Sequence, residues 1–205
     1  MPRTATTRKQ QVLADFRRAD ILVAATKVFA QKGFEATRME DIANAAEIGK
    51  GTLYRYFPSK DTVYEATVLL ALSKVAALTE EHVNRASGLA SKLAAFISVR
   101  IAFWDEQQQF YRIILSITRQ EQHRKRSLGW QKETVLYLES MFADAAEAGE
   151  IPQQDFLSAA WTTLDAIRGV NERRAFSAGR SIEEDAKFLT GFLWNALHGH
   201  HGNAR

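Results

Sequence analysis

Cysteine is absent from the chain, which removes disulfides, thiol nucleophiles and thiolate zinc sites together and suits a reducing compartment. Proline occurs only at 2, 58 and 152, leaving long windows free of the residue that most strongly interrupts a helix. Charge breaks the apolar stretches short of the roughly 18 residues that cross a bilayer, and no basic start leads into a hydrophobic signal core. The expectation is a soluble, cytoplasmic protein with no membrane partner. The alternation of a half-buried strand is found over no useful length, and internal repeats, low-complexity tracts and long heptad series are missing too. No phosphate loop, HExxH helix, GxSxG elbow or paired catalytic constellation is present. An enzyme working through His123 or the terminal histidines therefore has no motif behind it, and neither catalysis nor a cofactor is expected.

What is present is ordinary globular composition, 46% apolar and 25% charged, in 205 residues. The net charge of +3 is unevenly spread. Residues 1–60 carry 11 Lys or Arg against 6 Asp or Glu, whereas residues 61–205 carry 16 against 18. A polyanion-binding head on a near-neutral body fits this balance, although a solvated face would give the same charge count.

Helical spacing recurs from end to end, which makes the fold class all-α. Ile21, Leu22, Ala25, Val28 and Phe29 form the inward stripe of a first helix, and Gly33 ends it in the left-handed manner. The basic stretch from Arg8 to Arg18 either extends that helix or forms an arm near DNA. Thr37 is expected to cap a second helix, with Glu40 completing a capping box and Met39, Ile42, Ala43 and Ala46 facing inward. After Gly49 the pattern resumes, with Leu53 and Phe57 one turn apart, until Pro58 blocks continuation and Ser59 starts the next helix. Two short helices around a glycine-containing turn make a helix-turn-helix. Longer helices are expected at about 59–84, 88–105, 107–121, 125–148, 154–177 and 181–198, with one break near His123. The domains are expected to be 1–60, the arm and helix-turn-helix, and 61–205.

Lys50, Thr52, Tyr54, Arg55 and Tyr56 crowd a helix too short to bury them all. Their donors and acceptors need a polar partner, and the DNA major groove, about 12 Å wide, supplies one. Gly51 would permit close backbone approach. The alternative is that Tyr54, Tyr56 and Phe57 simply pack a small core.

The series Phe29, Gly33, Thr37, Ile42, Ala43, Ala46, then Gly51-Thr52-Leu53-Tyr54-Arg55-Tyr56-Phe57 and Ser59-Lys60, resembles the TetR family. The resemblance spans Ala19 to Glu65 and implies a ligand-responsive regulator, usually a repressor, that binds a palindromic double-stranded operator as a homodimer. It implies phosphate contacts from Tyr54, Tyr56 and Lys60, groove-facing positions at Lys50, Thr52 and Arg55, and a core role for Leu53 and Phe57. Thr37 would offer its hydroxyl and the free N–H groups of helix 2 to a phosphate. Gly49 departs from the serine or threonine usual there. A nonspecific architectural DNA binder is the remaining alternative.

For the body, the resemblance implies a cavity for a small effector, expected to be hydrophobic or aromatic with at most one anionic group. Candidate lining residues are Arg100, Phe103, Trp104, Tyr111, Tyr137 and Trp161, with Asp165, Arg168 and Asn171 as further polar candidates; Asp165 and Arg168 could instead pair with each other. The last two helices would form the dimer, Trp161, Leu164, Phe188, Phe192 and Leu197 giving the apolar surface, unless that stripe is buried within one chain. His198, His200 and His201 have only weak metal-site spacing, so no metal is expected. The Arg119 to Arg126 run reads as a solvated turn.

Overall fold

The computed structural model describes residues 3–118, 121–177 and 179–199. Among them are nine helices and no strands: α1 (Arg3–Lys32), α2 (Met39–Ala45), α3 (Lys50–Tyr56), α4 (Lys60–Asn84), α5 (Gly88–Glu106), α6 (Gln108–Thr118), α7 (Glu121–Glu147), α8 (Phe156–Phe176) and α9 (Ile182–His198). The stretch before Arg18 is a continuation of α1. The break expected near His123 lies earlier, because α7 already runs from Glu121. The part of the Arg119 to Arg126 run that is described is therefore the first turns of a helix, while Arg119 itself lies outside the described residues.

Two compact units divide the chain, residues 1–72 and 73–205. The division falls twelve residues beyond the expected 60/61 boundary, inside α4. The reason is visible in the first unit, where Val63, Tyr64, Thr67, Val68 and Ala71 are buried. Tyr64 meets Phe29 edge-on at 5.9 Å and Phe34 at 5.3 Å between ring centroids. Such pairs add about 0.5–1.5 kcal/mol each beyond their buried area. The start of α4 is thus part of the head's core.

In the first unit, Ile21, Leu22, Ala25, Val28 and Phe29 of α1 all point inward, as the stripe predicts. Gly33 takes φ +80°, and its N–H donates to the Phe29 carbonyl at 2.8 Å, closing α1. Ser59 caps α4 reciprocally: Thr62 N donates to Ser59 Oγ, and Ser59 N donates to Thr62 Oγ1, both at 3.2 Å.

The second unit packs α5 against α8 and α9, and α7 and α6 against α8. Leu93, Phe96, Ile97, Leu138, Phe142, Leu164, Ile167, Leu189 and Leu193 are among its core. Ser181 caps α9 in a full capping box, with Glu184 N donating to Ser181 Oγ at 3.1 Å and Ser181 N to Glu184 Oε2 at 2.8 Å. One helix among the described residues, α4, is long and apolar enough by composition to cross a membrane, with mean hydropathy 1.3 over its most apolar window. Val63, Tyr64, Val68, Ala71 and Val75 on α4 are buried in protein, as expected of a core helix.

Glu47, between α2 and α3, has φ +53°. Ile48 N donates to Ala43 O at 3.0 Å and Glu47 N to Asn44 O at 3.1 Å, the paired bonds of a Schellman ending. A side chain in this left-handed position is strained by comparison with glycine. Glu47→Gly should therefore raise stability, by about 0.5–1 kcal/mol, read as a shifted urea midpoint with an unchanged slope.

Candidate functional site

The turn between α1 and α2 departs from the expected capping. Arg38, not Thr37, occupies the cap position of α2, and Asp41 closes the box by accepting from Arg38 N at 2.9 Å. Thr37 is 2% exposed, and its hydroxyl donates to the Gly33 carbonyl at 2.6 Å. It locks the loop, which corrects its expected role as helix cap and leaves its hydroxyl turned to its own chain. Asp41 also pairs with Lys32 at 2.7 Å, fixing α2 against α1. The Lys32 hydrogen bond, helped by Arg38 N, holds the Asp41 carboxyl below its ordinary pKa.

α3 has two faces. Leu53 is fully buried, and so is Phe57 just past the helix end, under the Arg18 guanidinium at 4.4 Å from its ring. The remaining residues look outward: Lys50, Gly51, Tyr54 and Arg55 are exposed, while Thr52 and Tyr56 are half-buried. Arg55 lies 5.7 Å from the Tyr56 ring and Lys50 5.9 Å from the Tyr54 ring. Both tyrosines thus stand beside cations, outside the apolar core. A Cβ added at Gly51 or at Gly49 would meet nothing within 4 Å. Neither glycine is needed by the chain's own packing, and Gly49, at φ −67° and ψ 145°, has a backbone that serine would also adopt.

Two of the expected cations already have partners. Lys50 forms an ion pair with Glu40 of α2, which lowers the Glu40 pKa. Lys60 donates to the Phe34 and Glu35 carbonyls at 2.7 and 3.1 Å, with its ammonium 4.4 Å from the Phe34 ring. It pins the α1–α2 loop and keeps one N–H for any outside acceptor. The sequence reading missed Phe34, Glu40 in its pairing role, and Tyr64. For Phe34, the signal was an aromatic residue placed directly after the helix-ending Gly33.

In the second unit, Arg100 of α5 is 6% exposed, with Nη2 3.4 Å from Thr134 Oγ1 and its guanidinium 4.6 Å from the Phe96 ring. Phe103, Trp104 and Tyr111 form a buried aromatic run, with ring centroids 5.1 Å apart from Phe103 to Trp104 and 5.0 Å from Trp104 to Tyr111. Burial pushes the Tyr111 hydroxyl up to about 12. Tyr137 stacks on Phe96 at 6.1 Å. Asp165 and Arg168 do not join this group as a pair aimed inward: they bond each other at 2.8 Å on the exposed side of α8. Trp161 packs on the core. Asn171 is buried, and its Oδ1 has no hydrogen-bond partner.

The residues expected at a dimer interface separate into two sets. Leu164 and Leu197 are 5% and 4% exposed within the single chain and belong to its own core. Phe188 and Phe192, 57% and 60% exposed, stack on each other on the outer face of α9. The His198 ring packs tilted against Trp194, 3.9 Å between centroids, and shares a hydrogen bond with the Trp194 carbonyl. His200 and His201 lie outside the described residues.

Residues 21–67 match the family described as bacterial regulatory proteins, tetR family. Among curated relatives, the transcriptional activator FasR of Mycolicibacterium smegmatis is 29% identical over 100 residues, 49% of this chain and 46% of FasR. The transcriptional regulator RutR of Escherichia coli is 41% identical over 63 residues, 31% of this chain and 30% of RutR. The chain thus spans less than half the length of these relatives. Among solved structures, the transcriptional regulator FadR of Bacillus subtilis, in complex with stearoyl-CoA, superposes with a TM-score of 0.77 at 20% identity, covering 89% of this chain and 99% of that chain. That likeness extends the shared all-α fold into the second unit. The helix-turn-helix geometry and the match at residues 21–67 agree, so the first unit is similar to the DNA-binding part of the tetR family of bacterial regulatory proteins.

Proposed function

We propose that the first unit docks α3 in the major groove of double-stranded DNA, and that the protein is a cytoplasmic, effector-controlled transcriptional regulator rather than an enzyme. The observation that carries this reading is the division of α3. Leu53 and Phe57 anchor one face, while Lys50, Gly51, Tyr54 and Arg55 are exposed on the other. Arg55 and Thr52 would read bases, and Lys50, Tyr54, Tyr56 and the spare Lys60 donor would hold phosphates. Lys50 would exchange Glu40 for a phosphate on docking. The open space over Gly51 suits a close backbone approach.

The exposed Phe188–Phe192 stack supports pairing through α9, since stacked phenylalanines are costly to leave in water. A dimer would present two copies of α3 to a palindromic operator. The buried aromatics of the second unit support a hydrophobic effector, and the FadR neighbour is described with stearoyl-CoA bound. An effector that favours a DNA-incompetent form would make the protein a repressor released by its ligand. A fluorescence anisotropy titration of the duplex upstream of the protein's own gene tests this. Tight, salt-sensitive binding that a lipophilic compound relieves is the expected result. Equal affinity for every duplex, untouched by any compound, would make the protein an architectural binder.

A further inference from the structure

The second unit treats its buried charges unequally. Asp185 is 2% exposed and is bonded by Arg173 at 2.8 Å and Arg174 at 2.9 Å, and Arg174 also reaches Asp105 at 2.8 Å. Arg100 is nearly as buried, yet no carboxylate among the described residues pairs with it. Its nearest polar partner is the long Thr134 contact, and Nε has none at all. The Phe96 ring covers one face of the guanidinium, and Phe96, Arg100 and Trp104 follow one another at four-residue spacing along a single face of α5. Burial lowers the Arg100 pKa to about 10, which still leaves the group charged at neutral pH. An uncompensated buried cation is strongly disfavoured in a finished core, whereas a site that awaits a counter-ion can hold one.

We infer that Arg100 is the anchor for a carboxylate on the effector, whose apolar body lies along the Phe96, Trp104, Tyr111 and Tyr137 side chains. This rests on the effector reading above and narrows it to amphipathic organic acids. A carboxylate accepts two parallel hydrogen bonds from a guanidinium, and Nε with a neighbouring Nη offers that geometry. Neutral lipophiles lack the group that this site needs.

The test uses the full-length protein with octanoate, dodecanoate and naphthoate, each beside its methyl ester, and follows tryptophan fluorescence and melting temperature. The acids should bind the wild-type protein at least about tenfold more tightly than their esters. Arg100→Met should weaken the acids by about 30-fold or more, the loss expected when one side of a buried charge pair is removed, and leave the esters unchanged. It should also melt at a higher temperature than the wild type without ligand, because an unpaired buried charge has been replaced by an apolar chain. Acids and esters that bind the wild type equally would overturn the carboxylate anchor and leave the effector reading standing. Failure of every acid and every ester to bind would overturn both. A lower melting temperature for Arg100→Met, with acid preference retained, would make Arg100 a structural residue.

Discussion

Phe57→Ala should destabilise the first unit by about 3–5 kcal/mol, the range for removing a fully buried aromatic ring. Phe57 is 1% exposed, sits at the end of α3 and carries the Arg18 guanidinium on its face. Truncating it opens a cavity and releases the Arg18 contact that joins α1 to the end of α3. All four tryptophans, at 104, 130, 161 and 194, lie in the second unit, so the two units can be watched separately. The variant should lose helical circular dichroism in an early thermal transition that leaves tryptophan emission unchanged. A single transition with coincident probes, at the wild-type temperature, would show that Phe57 is not a keystone of the head.

Asp185→Ala should have the second large effect, about 3 kcal/mol, now in the second unit. Breaking a buried ion pair by removing one partner leaves the other charge uncompensated, at a typical cost of about 3–5 kcal/mol. The lower end applies because Arg174 keeps Asp105 and Arg173 is exposed enough to turn toward water. Asp185 ties α9 to α8, and Arg174 carries the tie on to α5. Both circular dichroism and tryptophan emission should therefore report an earlier transition. An unchanged midpoint would mean that the network is neutral, as some buried ion pairs are.

The helices were legible because their signals are local. The spacing of Ile21, Leu22, Ala25, Val28 and Phe29, the stop at Gly33 and the Ser59 and Ser181 starts each depend on residues within a turn or two. The break near His123 was misplaced because its polar, charged surroundings are equally at home in the opening turns of a surface helix. Thr37 was misread because threonine and arginine stand side by side, and the choice of cap was decided by Asp41 reaching back to Arg38 N. The domain boundary moved for a non-local reason: only the folded chain shows Tyr64 packed on Phe29 and Phe34.

The candidate site divides in the same way. Leu53 and Phe57 facing in, and Tyr54 and Arg55 facing out, follow from helical periodicity alone. The partners of Lys50 and Lys60 do not, since Glu40 lies ten residues from Lys50 and the Phe34 carbonyl twenty-six from Lys60. Leu164 and Leu197 look like any other apolar positions on α8 and α9 until burial assigns them to the chain's own core. The isolation of Arg100 is likewise invisible in sequence, because it consists of carboxylates that are elsewhere.

The central claim is that the outward face of α3 reads DNA sequence. It is tested most directly by the affinity of wild-type protein, Arg55→Ala and Tyr54→Ala for the upstream duplex and for a scrambled duplex of equal length, measured at two salt concentrations. The wild type should prefer the upstream duplex, and Arg55→Ala should lose about 1–3 kcal/mol of that preference. Tyr54→Ala should weaken binding to both duplexes alike. If both variants bind both duplexes as the wild type does, α3 is not the reading helix.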